Sequence, residues 1–203
     1  MSSTVLIDYG AGNLRSVANA MNSVGAEVQI VSSGEEFPAH PTRIILPGVG
    51  SFGDSMNELV ARGLDQPVRS AIQAGVPFLG ICVGYQLLFQ QSEESPSVEG
   101  LGIFSGKVKR FHPGKKIPHM GWNAVRPLNA AHSCWAEMPA EPYFYYVHSY
   151  FPVPDDPSII AATTDYEELF AAAIIHKNVW AVQFHPEKSQ DCGIQLIKNF
   201  LAL

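Results

Sequence analysis

The sequence predicts an α/β fold, with an open, largely parallel twisted sheet flanked by helices and a strand-rich C-terminal half. Short apolar segments at residues 5–8 and 27–31 are each long enough for a buried strand. Between them lies a stretch with helical periodicity, which Gly25 ends. A strand, helix, strand order implies parallel pairing through a right-handed crossover.

The same alternation continues to the middle of the chain and then gives way to strands. The pattern predicts strands at 43–46 and 76–79, helices at 55–61 and 67–74, further strands at 106–111, 143–151, 159–164, 170–175 and 179–184, and a terminal helix at 193–203 with Ile194, Ile197 and Leu201 on one face. No linker-like segment separates the two halves. We therefore expect a single domain, residues 1–203.

Composition excludes several classes of function. Only 16% of residues are charged and the formal net charge is −6, which disfavours a nucleic-acid-binding surface. No apolar run approaches the roughly 20 residues of a membrane span, and the N-terminus lacks the pattern of a signal peptide. Three cysteines (Cys82, Cys134 and Cys192) are widely spaced and show no metal-ligand pattern. We expect a cytoplasmic protein without metal or cofactor.

The most informative stretch is Gly80-Ile81-Cys82-Val83-Gly84. A nucleophilic side chain flanked by glycines two residues away on each side is typical of a nucleophile elbow, a sharp strand-to-helix turn. A helix continuing through residues 86–89 would place Cys82 at its N-terminus, where the helix field favours the thiolate. A buried structural cysteine is the alternative, and it is how most lone cysteines behave.

Two glycine-rich turns follow earlier strands. Gly48-Val49-Gly50 allows backbone N–H groups to face a ligand, as in an oxyanion hole, although an ordinary strand-to-helix turn fits equally well. Gly10-Ala11-Gly12 lacks the third glycine of a dinucleotide fingerprint, so it more plausibly presents Asn13 at the sheet edge. Ligands of open α/β sheets bind at the carboxyl ends of the strands, where both turns and Cys82 are expected to converge.

A base for the cysteine is found at the end of the last predicted strand. His185 follows that strand, Pro186 prevents its continuation, and Glu187 comes two residues after the histidine. A nucleophilic cysteine needs an imidazole that moves protons and a carboxylate that orients it. The other histidines lack such a carboxylate, so we expect them to be structural (His40, His112, His119, His132, His148 and His176).

The cysteine and histidine motifs resemble those of class I glutamine amidotransferases, which hydrolyse the side-chain amide of glutamine and pass ammonia to a synthase. Within that class, four stretches (residues 8–16, 47–53, 118–123 and 143–150) are similar to the glutaminase subunits of imidazole glycerol phosphate synthases. The resemblance spans nearly the whole chain. Val83 and Tyr85 stand where that family more often has leucine and methionine.

The resemblance implies a role for each matching residue. It implies that Cys82 attacks L-glutamine to form a thioester, that His185 is the acid and base, and that Glu187 orients it. It further implies an oxyanion hole formed by Val49, Gly50 and Val83, and a glutamine site formed by Gly50, Gln86, Glu94, Ser149 and Tyr150. The partner that it implies is a cyclase subunit, a (β/α)8 barrel, which forms a heterodimer with this chain. The residues that would face this subunit are Asn13, Trp122, Tyr145 and Lys188. From the sequence alone, Trp122 is equally consistent with a loop-tip contact and with a packed core.

Three other functions compete with this interpretation. The chain could serve a different synthase, such as those making anthranilate or pyridoxal phosphate, although Trp122-Asn123 argues against it. It could be a non-catalytic regulatory module on the same fold, against which the intact cysteine, histidine and glutamate weigh. It could also be a cysteine hydrolase acting on peptides or small acyl donors.

Overall fold

The computed structural model describes residues 4–10, 12–112, 116–166 and 168–203. In chain order the strands are β1 Thr4–Ile7, β2 Val28–Val31, β3 Arg43–Leu46, β4 Phe78–Ile81, β5 Phe89–Ser92, β6 Phe104–Arg110, β7 His119–Ala124, β8 Arg126–Pro127, β9 Tyr143–His148, β10 Tyr150–Pro154, β11 Ile160–Asp165, β12 Leu169–His176 and β13 Val179–Val182. The α-helices are α1 Leu14–Ser23, α2 Phe52–Ala61, α3 Asp65–Gln73, α4 Val83–Gln86 and α5 Gln190–Leu201.

An eight-stranded sheet, in the order β2-β1-β3-β4-β13-β12-β11-β8, organises the molecule. The pairs from β2 through β13 are parallel, and those from β13 through β8 are antiparallel. β1, β4 and β13 are buried along their whole length, which explains why they appear in the sequence as continuous apolar segments. This is the predicted α/β fold with a largely parallel sheet.

Two smaller sheets cover the region beyond the carboxyl ends of the parallel strands. One has the order β10-β6-β5 and the other pairs β7 with β9 antiparallel. The backbone of Tyr145 in β9 accepts a hydrogen bond from the N–H of His185 at 2.9 Å, so the two-stranded sheet is attached directly to the segment that follows β13. The elements of the second half therefore enclose the edge at which the predicted site lies.

Several sequence-based boundaries were wrong. The aromatic run 143–151 is not one strand, because β9 pairs with β7 whereas β10 pairs with β6, and Ser149 lies between them. The helix after Cys82 ends at Gln86, and the chain enters β5 at Phe89 instead of remaining helical. Trp122 lies within β7 and not at a loop tip.

The terminal helix was located correctly, and its predicted residues pack against the core, together with Leu196 and Phe200. Leu196, Ile197 and Phe200 are buried in α5, whereas Ile194 and Leu201 are only partly covered. The predicted features at the N-terminal residues 1–3 and at Ala11 lie outside the described residues. Among the helices that the structure describes, none is long and apolar enough to cross a bilayer.

Candidate active site

Cys82 occupies a strained turn between β4 and α4. Its backbone has φ 54° and ψ −107°, a conformation that costs a non-glycine residue free energy and is often found at functional sites. A Cβ at Gly84 would lie 1.9 Å from the carbonyl oxygen of Leu46, so only glycine fits beside β3. The Cys82 N–H donates to the Val182 carbonyl at 2.8 Å, which holds the turn against β13. The predicted nucleophile elbow is therefore present.

His185 and Glu187 form a buried pair next to this turn. Because β13 lies parallel to β4, with Val182 opposite Ile81, the chain that leaves β13 brings His185 beside the cysteine. The His185 Nδ1 and Glu187 Oε1 atoms are 2.7 Å apart, and both side chains are about 1% exposed. The Ser189 hydroxyl donates to the His185 carbonyl at 2.6 Å and holds this segment in place.

The electrostatics of the histidine favour its charged form. Burial alone would lower the pKa of His185, but the neighbouring Cys82 sulfur and the Glu187 carboxylate raise it, and the net result is a pKa of about 10. At neutral pH the group is therefore an imidazolium beside a sulfur that can carry negative charge. The effect of Cys82 on this pKa indicates that the sulfur lies near the imidazole, although His185 Nε2 has no hydrogen-bond partner among the described residues.

Asn13 extends this arrangement beyond the three predicted residues. Its side-chain amide donates to Glu187 Oε1, the oxygen that also bonds to His185. Asn13 has φ 82°, a left-handed conformation that asparagine tolerates better than most residues. The resemblance placed Asn13 on a partner-facing surface; the structure shows that its amide contacts the carboxylate of the triad.

The Gly-rich turn after β3 lies directly over the elbow. The Val83 N–H, one of the predicted oxyanion donors, donates to the carbonyl of Gly48 at 3.4 Å. Gly50 has φ 103°, a backbone conformation suited to glycine. In this conformation one of the expected donors is thus occupied by the protein's own backbone.

A cavity of about 230 Å³ opens beside Cys82. Its lining includes every residue of the predicted glutamine site, namely Gly50, Gln86, Glu94, Ser149 and Tyr150. Val49 and Val83 of the predicted oxyanion hole also line it. The Glu94 carboxylate accepts from the Phe52 N–H at 2.7 Å through Oε2. The structure therefore brings the predicted substrate residues and the nucleophile into one recess.

A larger recess of about 810 Å³ lies elsewhere, between β6, β10 and the start of β12. Its lining is mainly charged and aromatic and includes none of the triad residues. The smaller cavity is the better candidate because it contains the nucleophile. Within the described ranges, no group of three or more histidine, cysteine or carboxylate side chains is arranged to hold a metal.

Two polar residues at the site, Gln183 and His148, were not identified from the sequence. Gln183 is fully buried, and its side chain contacts both Cys82 and Gln86. The only sequence feature that could have identified Gln183 is that it is a single polar residue inside the apolar run before His185. His148 lines the cavity although we had expected it to be only structural.

The tautomer of His148 follows from its partners. Its Nδ1 lies 2.8 Å from the Tyr150 carbonyl, which can only accept, so Nδ1 carries the proton. Nε2 then accepts from His119 Nδ1 at 2.9 Å. Burial lowers the pKa of His119 to about 4. Burial, together with the couplings to the His119 and His185 rings, lowers the pKa of His148 to about 3.

Beside the triad lies an aromatic surface. Met120, Trp122 and Tyr143 are exposed on the β7–β9 sheet, and the Trp122 ring contacts that of Tyr145 edge to face, with centroids 6.2 Å apart. The Lys188 Nζ lies 5.8 Å from the centre of the Tyr145 ring. Exposed large apolar side chains gathered on one face are typical of a protein contact surface.

Comparison with known proteins agrees with this geometry. The family model "Glutamine amidotransferase class-I" matches residues 5–203. The chain therefore belongs to the class I glutamine amidotransferase family.

Relatives with nearly full-length matches are imidazole glycerol phosphate synthase subunits HisH. That of Methylococcus capsulatus is 47% identical, with 99% of this chain and 96% of the relative covered. That of Thermosynechococcus vestitus is 48% identical, with 98% and 95% covered.

Solved structures share the fold at low sequence identity. A crystal structure of a glutamine amidotransferase has a TM-score of 0.77 at 18% identity, with 98% of this chain and 97% of that chain covered. PurLQS from Thermotoga maritima gives a TM-score of 0.78 at 19% identity, with coverage of 100% and 99%.

Proposed function

We propose that this protein is the glutaminase subunit of an imidazole glycerol phosphate synthase, acting in histidine biosynthesis in the cytoplasm. It hydrolyses L-glutamine to glutamate and ammonia, and it passes the ammonia to a cyclase subunit for imidazole ring formation. The observation that carries the proposal is the Cys82 elbow beside the buried His185–Glu187 pair. The full-length similarity to HisH subunits supports this synthase over those making anthranilate or pyridoxal phosphate.

In the first half of the reaction, the Cys82 thiolate attacks the side-chain amide carbon of glutamine. The carbonyl electron pair moves to oxygen, and a tetrahedral oxyanion forms. His185 donates the proton on Nε2 to the leaving nitrogen, the C–N bond breaks, and ammonia and a glutamyl thioester result. The raised pKa of His185 means that this proton is already present before the substrate binds.

In the second half, His185 acts as a base. It takes a proton from water as the water oxygen attacks the thioester carbon. Collapse of the second oxyanion breaks the C–S bond and releases glutamate, which restores the thiolate and the imidazolium. Glu187 holds Nδ1 at 2.7 Å throughout, so the ring is oriented and its positive charge is stabilised.

The cavity also supports glutamine over a peptide as the substrate. Its volume of about 230 Å³ is below the roughly 300–1,000 Å³ of sites for drug-sized ligands. Glu94 supplies a carboxylate for the α-ammonium group, and Gln86 presents its remaining carbonyl oxygen, because its Nε2 is occupied by Tyr150 and Gln183. Gly50, Ser149 and Tyr150 complete the proposed glutamine site.

The oxyanion hole is proposed to form only in the complex. The Val83 N–H is bonded to Gly48, so it must be released before it can stabilise an oxyanion together with the Val49-Gly50 turn. The bond is long at 3.4 Å, which keeps the cost of breaking it low. A closed hole prevents the free subunit from consuming glutamine without its partner.

The partner is proposed to dock on the aromatic surface described above. Trp122, Tyr145 and Lys188 lie there, and Lys188 follows Glu187 directly in the chain, so docking can reach the triad. The partner we propose is a (β/α)8-barrel cyclase subunit, which forms a heterodimer with this chain and receives ammonia through the barrel. We propose that Asn13, whose side-chain amide donates to Glu187, also belongs to this partner-facing surface.

The test measures ammonia release from glutamine with and without the cyclase subunit and its nucleotide ligand. We expect slow turnover by the free subunit and fast turnover in the complex. Cys82→Ala should abolish glutamine-dependent synthesis but preserve synthesis from added ammonium salt. Loss of both activities in this variant would mean that Cys82 is structural, and rapid partner-independent hydrolysis would contradict the closed oxyanion hole. If the protein co-purified with a different synthase, that synthase and not the cyclase would be its partner.

A further inference from the structure

Gln183 is a fully buried polar side chain at the end of β13, and the triad mechanism does not use it. Its Nε2 lies 3.7 Å from the Cys82 sulfur, within hydrogen-bonding distance for a sulfur acceptor. Its Oε1 lies 3.2 Å from Gln86 Nε2. One amide therefore joins the nucleophile to the substrate cavity.

The orientation of this amide follows from fixed groups around it. A backbone carbonyl can only accept, so the Gln86 atom 3.0 Å from the Tyr150 carbonyl is the donor Nε2. That same nitrogen faces Gln183, and Gln183 must therefore present its oxygen to it. The opposite side of the Gln183 amide is its NH2 group, which is consequently directed at the sulfur.

A donor at this position favours the charged form of the cysteine. A hydrogen bond to an ionised acceptor is stronger than one to its neutral form, and burial increases the difference. His185 approaches the same sulfur, so Gln183 supplies a second stabilising contact to the thiolate, both before it attacks the substrate and after the thioester is broken.

Stability alone does not explain a glutamine at this position. Its neighbours Val182 and Phe184 are buried apolar residues, and the Gln183 main chain is held by a bond to the Ala172 carbonyl at 2.8 Å that any residue would make. Burying an amide with only some of its hydrogen bonds made costs free energy, which an apolar side chain would avoid. This free-energy cost of burying the Gln183 amide is explained if the amide stabilises the Cys82 sulfur.

We propose that Gln183 belongs to the catalytic machinery: its NH2 group stabilises and orients the Cys82 thiolate, while its oxygen holds Gln86 in the position that receives glutamine. The inference rests on the proposed role of Cys82 as the nucleophile. It adds a specific contact to the reacting sulfur.

The experiment measures how fast iodoacetamide alkylates Cys82 in the full-length protein at a series of pH values. Mass spectrometry of the Cys82 peptide separates its signal from those of Cys134 and Cys192. Gln183→Met removes the donor at nearly constant volume, and Gln183→Leu carries the same test if the methionine variant is poorly folded. We expect the midpoint of alkylation to rise by about one pH unit or more, which is at least roughly a tenfold loss of thiolate below the midpoint.

Thr164→Val is the matched control. It also removes a fully buried polar contact, the 2.7 Å bond to the Tyr146 hydroxyl, but it lies on β11 and none of its hydrogen bonds involves the triad. We expect it to lower the melting temperature and to leave the alkylation midpoint unchanged. A midpoint shift in this control equal to that of the Gln183 variants would assign the effect to general loosening and overturn the proposal.

Kinetics in the complex with the cyclase provide the second readout. The Gln183 variants should lower kcat for glutamine at least roughly tenfold, raise KM through the loss of the Gln86 contact, and retain ammonia-dependent synthesis. An unchanged alkylation midpoint in both variants would refute the role in stabilising the thiolate, whatever happens to kcat. Because alkylation requires neither glutamine nor the cyclase, it tests Gln183 even if the proposed glutaminase function were wrong.

Discussion

Acidification should destabilise this fold because two histidines are buried in their neutral forms. His119 and His148 are 3% and 5% exposed, and their pKa values of about 4 and about 3 lie well below the ordinary 6.5. The unfolded chain therefore binds protons more readily than the folded one. The stability that this provides is fully present above about pH 6.5 and is lost as the pH falls toward the folded values.

The magnitude follows from these pKa values. Between about pH 7.5 and about pH 5, each of the two histidines costs the folded state about 2 kcal/mol. His185 acts in the opposite direction, because its raised pKa of about 10 gives a contribution that is greatest below pH 6.5 and is lost as the pH rises toward 10. Between about pH 7.5 and about pH 5, His185 therefore adds about 1 kcal/mol to the stability of the folded state. The net loss is about 2–3 kcal/mol, a large fraction of the roughly 5–15 kcal/mol of a typical domain.

The described groups around the pair of histidines supply no compensating negative charge. His119 is stacked between Tyr146 and Tyr166, with ring centroids at 4.7 and 4.0 Å, and its Nε2 faces the Asn123 amide at 3.2 Å. His148 faces His119, His185 and the Tyr150 carbonyl. Among the described residues, the hydrogen bonds and ring contacts of both histidines therefore include no carboxylate that could stabilise the added proton.

Urea denaturation at a series of pH values between about 5 and 7.5 measures this effect. His119→Gln, which can still donate to His148, should remove about 2 kcal/mol of the acid-dependent loss, which is most of the net effect. His40→Gln, on an exposed side chain, is the control and should leave the profile unchanged. A free energy of unfolding that stays constant or rises on acidification would refute the reasoning.

Three further predictions concern the site and its surroundings. Asn13→Ala removes the amide that donates to Glu187, so kcat of the cyclase-saturated complex should fall roughly tenfold with little change in KM; an unchanged kcat would restrict Asn13 to the interface. Gly84→Ala places a Cβ 1.9 Å from the Leu46 oxygen and should destabilise the fold by more than about 3 kcal/mol in urea denaturation, whereas Gly12→Ala, with its nearest atom at 3.5 Å, should have a small effect. Trp122→Ala should weaken cyclase binding at least tenfold in a titration, and Ile30→Ala, at a similar exposure of 49% compared with 46%, is the matched control; equal losses would show that Trp122 is not in the interface.

Much of the molecule is determined by local sequence. β1 and β4 are buried throughout and β3 is buried from Ile44 onward, so these parallel strands appear as short, mainly apolar segments, and glycines mark the turns after them. The rule that parallel strands end at one sheet edge then brings Cys82 and the Gly48–Gly50 turn together without coordinates. The His-Pro-Glu segment was found because a proline ends its strand directly after the histidine.

Contacts between distant segments decided the rest. The aromatic run 143–151 divides at Ser149 because its two halves pair with β7 and β6, and no local pattern encodes a choice between partners so far apart in the chain. The Val83 N–H is bonded to Gly48 because β3 and the elbow lie side by side. Gln183 and His148 look like ordinary strand residues in the sequence. Only the packing of β13 against β4, and of β9 beside them, turns one toward the sulfur and the other toward the cavity.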